Sequence, residues 1–275
     1  MDQLMAIWPI GLALMGTGAL AGILAGLFGV GGGIVIVPVL YFLLQHFGVS
    51  PNSAMAIATA TSLATIVPTA ISSIRSHHKK GNVDVALLKY WGGFILIASI
   101  VGSYVATRVS GDFLTWMFSI IAIFISLNML FRAKSSALVQ SLPGKIGQMI
   151  MALMVGGLSV MIGIGGGTIG VPLLTSCNVS AHKAVGTAAA FGLLIALPGV
   201  ITLLAIGQTP TDAPIGTWRL VNIPAFVFII PLTILFAPVG AKIAARLNQQ
   251  SLKRAFAVML FITGTRMLIQ VSGIL

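Results

Sequence analysis

The sequence contains no glutamate, and its only acidic residues are Asp2, Asp84, Asp112 and Asp212. All four are read in loops or at the terminus, so neither a catalytic carboxylate pair nor an aspartyl intramembrane protease can be assembled from them. Charge of either sign is scarce, at 7% of 275 residues, where an ordinary soluble domain carries about 25%. One cysteine, Cys177, excludes an internal disulfide and reads as packing. The histidines His46, His77, His78 and His182 form no metal-ligand spacing. No GxxxxGK[ST] run is present, so this chain does not hydrolyse ATP. The run 165–170 formally matches a dinucleotide glycine pattern, but no soluble strand–helix unit surrounds it. No enzyme activity, cofactor or metal is expected.

In place of charge there is apolar length. With 57% hydrophobic residues, and continuous runs close to the roughly 20 residues that cross a bilayer, the chain reads as an all-α polytopic membrane protein. The start, MDQLMAIWPI, lacks the basic flank of a signal peptide and reads as part of a retained first helix. Helices are expected at about 8–28, 34–47, 54–74, 91–107 and 113–131, then at 146–162, 168–176, 184–206, 223–244 and 252–271. This divides the chain into a first transmembrane repeat (1–132), a cytoplasmic linker (133–145) and a second repeat (146–275), each with about five hydrophobic elements.

Glycine is the other abundance, and it is patterned. GVGGGIVIVPVL at 29–40 recurs as GIGGGTIGVPLL at 163–174. Three consecutive glycines cost about 1 kcal/mol each in helix propensity relative to alanine, and they occur at the same place twice. What they offer is backbone freedom and bare amides, so a helix opening just after such a break points unsatisfied N–H groups into the gap. Paired breaks, each opening a short segment that either crosses or re-enters the membrane, are the sequence pointer to a transporter's binding site. The candidate binding set is Gly31, Gly32, Gly33, Ile34, Thr59, Thr61, Ser62, Gly165, Gly166, Gly167, Thr168 and Thr187. Close helix packing is the alternative for any single glycine, and back-bonding to the helix for any single hydroxyl. Pro38, Pro68, Pro172 and Pro198 are candidate hinges or gates, with simple kinks as the alternative.

The net charge of +11 sits in short loops, which speaks for membrane orientation and against nucleic acid. Arg75, Lys79, Lys80, Lys89, Arg132, Lys134, Lys145, Lys183, Lys242, Arg246, Lys253 and Arg254 fall on one side of the expected spans. Arg108, Arg219 and Arg266 fall on the other. The first set is then cytoplasmic, both termini lie outside, and the two repeats are inverted. Arg108 and Arg246 match across the halves and read first as snorkelling anchors, second as anion attractors at a vestibule.

The paired glycine–VP motifs, the AIAT and AVGT runs at 56–59 and 184–187, and GNVD at 81–84 resemble the sulfite exporter (TauE/SafE) family of permeases over nearly the whole chain. That resemblance implies a carrier of a small sulfur-containing anion such as sulfite, sulfoacetate or a related organosulfonate, in the bacterial inner membrane. The expectation is a secondary transporter exporting that anion by alternating access. A static anion channel and an importer of a related sulfur anion remain the alternatives, and a scaffold without transport is the weaker one. The partners implied are the anion and the lipid bilayer, with a homodimer left open.

Overall fold

A computed structural model describes residues 2–28, 32–131, 140–246 and 249–273. Gly29 and Gly31 of the first glycine run, Arg132, Lys134 and residues 133–139 of the expected linker lie outside the described residues, as do the side chains of Lys242, Arg246 and Lys253.

The chain before the linker forms α1 (Asp2–Phe28), α2 (Gly33–His46), α3 (Pro51–Lys79), α4 (Val85–Ala106) and α5 (Gly111–Phe131). After it come α6 (Lys145–Met161), α7 (Gly166–Ser176), α8 (Ala181–Ile206), the hairpin β1 (Thr217–Trp218) and β2 (Val221–Asn222), α9 (Ile223–Arg246) and α10 (Gln249–Val271). Among the described residues, α3, α4, α5, α8, α9 and α10 are long and apolar enough to cross a membrane. Leu96, Ile97, Val101, Phe124, Ile201, Val227 and Leu235 are exposed on their outer sides, as residues that meet lipid should be. The protein is a multi-pass, all-α integral membrane protein.

Helix starts are set by local chemistry. Ser50 caps α3, its Oγ accepting from Ser53 N (3.4 Å), with Pro51 at the first helical position, where its missing N–H costs nothing. Asp84 Oδ1 accepts from Leu87 N (3.0 Å) at the start of α4, and Asn222 Oδ1 accepts from Ala225 N (2.9 Å) at the start of α9. Asp112 lies in the first turn of α5 and Asp2 is the first residue of α1. Asp2, Asp84 and Asp112 therefore sit at helix starts, where the N-terminal dipole favours them, and Asp212 lies in the loop before the hairpin, as expected.

Helices pair across the linker more than within either half. Glycines of α1 lie directly on α9: a Cβ added at Gly18 would meet Ile229 and one at Gly22 would meet Thr233, so these two helices run parallel at close range. The same holds for α4 and α6, where Gly156 backs onto Ile95, Gly102 onto Gly157, and Trp91 Nε1 donates to Gln148 Oε1 (3.1 Å). Helices α3 and α8 run antiparallel, Leu63 lying by Gly199, Ile66 and Ala70 by Gly192, and Asn82 by Gly186. Helix α5 starts where Gly111 N donates to Asn52 Oδ1, and α10 ends where Gln270 Nε2 donates to Gln45 Oε1. Positions 45 and 52 are joined by the turn after α2, so both helix ends share one face and α5 and α10 are antiparallel.

The interior divides into two apolar clusters. One is built mainly from α2, the start of α3, α5, and parts of α1, α9 and α10; the other from the rest of α3 with α4, α6 and α8. Helix α3 belongs to both. Ala54, Met55, Ile57 and Ala58 pack into the first cluster, and Ala60, Leu63, Ala64 and Ile66 into the second, so the changeover falls at Thr59.

Candidate functional site

Helices α2 and α7 both begin in the interior. Gly33 opens α2 so close to the second glycine run that an added Cβ would lie 2.8 Å from the Gly163 carbonyl oxygen and 3.1 Å from Ile164 Cα. From there α2 runs to the face that carries its turn into α3. Helix α7 runs to the opposite face, where Asn178 Nδ2 donates to Gln140 O (3.2 Å) near the start of α6. Two helix N-termini thus converge on one buried point.

The two breaks are built differently in detail. Gly32 already has helical angles (φ −68°, ψ −10°), and its carbonyl accepts from Val35 N and Ile36 N, both at 3.0 Å. Gly165 is extended (φ −77°, ψ 165°), and the first return bond of α7 is Thr168 N to Gly165 O at 3.3 Å. Gly163 adopts φ +71°, the left-handed region, with its Cα side against Thr59, so a side chain here would be both strained and obstructed. Its carbonyl accepts from Ser62 Oγ (2.7 Å). An added Cβ at Gly166 would sit 2.9 Å from Gly192 N and 3.0 Å from Ala188 O, so α7 lies directly on α8. Close packing and bare backbone therefore coincide at Gly33, Gly163 and Gly166.

The hydroxyls separate into roles that the sequence reading had merged. Thr61 Oγ1 accepts from Asn222 N (2.9 Å) and Thr187 Oγ1 accepts from Asp84 N (2.9 Å). Each is a crossed tie: the residue capping α9 or α4 donates its backbone N–H to a threonine on α3 or α8 of the other half. Ser62 anchors the second break, as above. Thr59 Oγ1 differs, being buried with no hydrogen-bond partner, at the changeover of α3 and directly against Gly163. A buried hydroxyl without a partner costs about 1–3 kcal/mol relative to a satisfied one.

Gly32, Gly33, Ile34, Thr59, Thr61, Ser62, Gly165, Gly166, Gly167, Thr168 and Thr187 are all buried. Access to the point where the breaks meet therefore needs movement of an element that covers it. Pro38, Pro68, Pro172 and Pro198 all lie inside helices (α2, α3, α7 and α8), where each removes an i−4 hydrogen bond. Ser159, in the last turn of α6, also carries a buried Oγ without a partner, and its carbonyl accepts from Ile164 N (3.0 Å). Sequence reasoning missed it because the first repeat has no serine at the matching place. Arg108 is exposed, its guanidinium 5.2 Å from the Tyr104 ring centroid, as expected of an interfacial anchor. Among the described residues no group of three or more His, Cys or Asp side chains could hold a metal ion.

Residues 14–267 match the family model for the sulfite exporter TauE/SafE. The chain belongs to the TauE/SafE family. It is 30% identical over 254 residues to a probable membrane transporter protein of Haemophilus influenzae, covering 92% of this chain and 96% of that one. It is 28% identical over 267 residues to a probable membrane transporter protein of Methanocaldococcus jannaschii (92% and 93% covered), and 28% identical over 219 residues to the probable membrane transporter protein YunE of Bacillus subtilis (71% and 78%). No solved structure matches the chain. Both glycine breaks, Thr59 and both crossed ties lie within the span that matches the TauE/SafE model, and the protein is a membrane transporter.

Proposed function

We propose that this TauE/SafE protein is a secondary carrier that exports a small sulfur-containing anion from the cytoplasm, the anion resting where the two glycine breaks meet. The observation that carries the reading is the partnerless Thr59 hydroxyl, buried against Gly163 at the point where α2 and α7 both begin. A sulfur oxyanion needs N–H and O–H donors in a water-poor place without a full buried positive charge that would trap it. Two helix N-termini and a free hydroxyl meet that need.

The pairing of helices supports inverted repeats with alternating access. Exchanging each helix of the first half with its counterpart turns the α1–α9 pair into α6–α4, and α2–α3 into α7–α8. Counterparts α3 and α8, and likewise α5 and α10, run in opposite directions. The positive-inside rule then puts the ends of α3, α7 and the start of α6 in the cytoplasm of the cell, with both termini outside. Export is favoured because a negative-inside potential drives an anion outward with about 2.3 kcal/mol per charge per 100 mV. With three aspartates at helix starts and Asp212 in a loop, the substrate would carry any coupled proton itself, which a weak acid such as sulfite can do and a strong sulfonate cannot.

The test is counterflow in liposomes. A carrier loaded with unlabelled sulfite or sulfoacetate on one side accelerates entry of the labelled anion from the other, and Thr59→Val abolishes this while leaving the melting temperature unchanged or raised. Flux without acceleration from the opposite side establishes a channel, and full counterflow in Thr59→Val removes the crossing as the site.

A further inference from the structure

A cleft of about 460 Å³ lies away from the glycine crossing, between the outer ends of α2 and α10, and is lined by Phe42, Gln45, His46, Arg266 and Gln270. We propose that this cleft is a second, peripheral oxyanion site, in which Arg266 holds the singly charged head of a sulfonate or of a lipid phosphodiester. A helix of 14 residues separates it from Gly33, which is about 20 Å at 1.5 Å per residue, so one anion cannot occupy both places.

Four of the five lining side chains are polar, none is acidic, and two carry or can acquire positive charge. The Arg266 guanidinium carbon sits 4.3 Å from the Phe42 ring centroid. That contact engages the face of the guanidinium and leaves its N–H edge, the part that matches an oxyanion, to point elsewhere. Gln45 Nε2 donates to Tyr41 O (3.1 Å), and its Oε1 accepts from Gln270 Nε2. The acceptor of Gln45 is thereby taken, while each of the two amide groups retains a second N–H for a ligand. His46, exposed at the end of α2, completes the rim.

The other two arginines on this side of the molecule are arranged for different work. Arg219 Nη1 donates to Gly207 O (3.1 Å), bracing the hairpin that precedes α9. Arg108 lies over the Tyr104 ring, at the end of α4. Arg266 combines a fixed head group, amide donors and a cavity. Exposed Val258, Phe261 and Ile262 on the same helix place the cleft beside lipid, while its mouth also opens at the membrane surface. Either source of an oxyanion can reach it.

The experiment compares wild type, R266Q, R266K, Q270L and R108Q as purified full-length protein. One arm measures retention of phosphatidylglycerol against phosphatidylcholine by native mass spectrometry. The other titrates benzenesulfonate, a singly charged sulfonate, by calorimetry. The expected result is that R266Q weakens at least one probe tenfold or more, the loss typical of a charge-assisted hydrogen bond. R266K retains part of the affinity, Q270L loses severalfold with every charge intact, and R108Q matches wild type. A loss confined to phosphatidylglycerol identifies a lipid head group, and a loss confined to benzenesulfonate identifies a free anion. Unchanged affinity of folded R266Q for both probes overturns the proposal, and so does a loss in R108Q equal to that in R266Q. If R266Q does not fold, R266K and Q270L decide: wild-type affinity in both overturns it.

Discussion

The two crossed ties use the same device at different depths. Asn222 is held through three of its groups: its N–H reaches Thr61, its Oδ1 accepts from Ala225 N, and its Nδ2 donates to Thr217 Oγ1 (2.9 Å). It is 6% exposed, at the end of the hairpin's second strand. Asp84, half-buried, gives its N–H to Thr187, and its side chain caps Leu87 N and remains within reach of water. The tie at the hairpin is therefore stiff and neutral, and the tie in the α3–α4 loop is wet and charged. A molecule that opens alternately at its two faces need not open them with equal ease, and this difference predicts that the Asp84 face yields first.

The strongest way to break the comparison is to test whether the two ties lie on opposite faces at all. Single cysteines at Ser76 and Thr211, in a chain with Cys177 replaced, should label exclusively from opposite sides of the membrane. Labelling of both from one side would make the halves parallel and the comparison meaningless. Next in size is Gly163→Val, which imposes left-handed strain on a branched residue and drives its side chain into Thr59. A loss of about 2–4 kcal/mol in stability is expected, read as a large fall in the yield and melting temperature of folded protein. Gly32→Ala, whose nearest contacts are the side chains of Ile36 and Ala21 at 3.1 and 3.2 Å, should cost far less.

The ties themselves can then be separated. Thr61→Val leaves the buried Asn222 N–H without an acceptor and should cost about 1–3 kcal/mol in thermal unfolding. Thr187→Val leaves the Asp84 N–H where water can replace the hydroxyl, and should cost under about 1 kcal/mol. Equal effects would show that depth does not distinguish the two. The smallest effect concerns Asp212, which accepts from Ser50 N (2.8 Å) at the start of α3. Hydrogen bonds from the Ser53 and Ser50 side chains, and then the Ser50 backbone, pull its pKa from 3.8 down to about 2. A depressed carboxylate contributes stability that is complete above its unfolded value and lost as the pH falls from about 4 to about 2. Asp212→Asn should flatten the melting-temperature profile in that window, lying slightly and evenly below wild type above about pH 4 and meeting it below about pH 2. Because Asp212 is largely in water, the shift should be small.

The helices were legible from apolar run length, and most expected ends lie within three residues of the observed ones. The exceptions have local causes. Helix α1 begins at Asp2 and not at 8, with an acidic residue at its N-terminal end, and α3 continues past 74 to Lys79 because residues 75–79 contain no helix breaker. Helix α4 starts at Val85 because Asp84 caps it. The hairpin 217–222 was read as irregular loop, since strands of two residues leave no alternation to detect. The glycine pairing was legible as a repeat, but the contact between Gly33 and Gly163 was not, because nothing in a single sequence records that two distant breaks touch. The partners of the hydroxyls were hidden for the same reason: the backbone N–H groups of Asn222 and Asp84 on Thr61 and Thr187, and the lack of any partner on Thr59, appear only in the folded chain.

The pairing of α1 with α9 also bears on how the protein is made. Thr233 Oγ1 donates to Gly18 O (3.2 Å) across 215 residues of chain, and Gly18 and Gly22 of α1 both lie against α9. At about 5–20 residues per second of synthesis, α1 waits on the order of ten to forty seconds in the bilayer before its partner exists. During that interval lipid must occupy the groove that α9 will take. The first half cannot be finished by the ribosome in order; its opening helix is completed by nearly the last segment to insert.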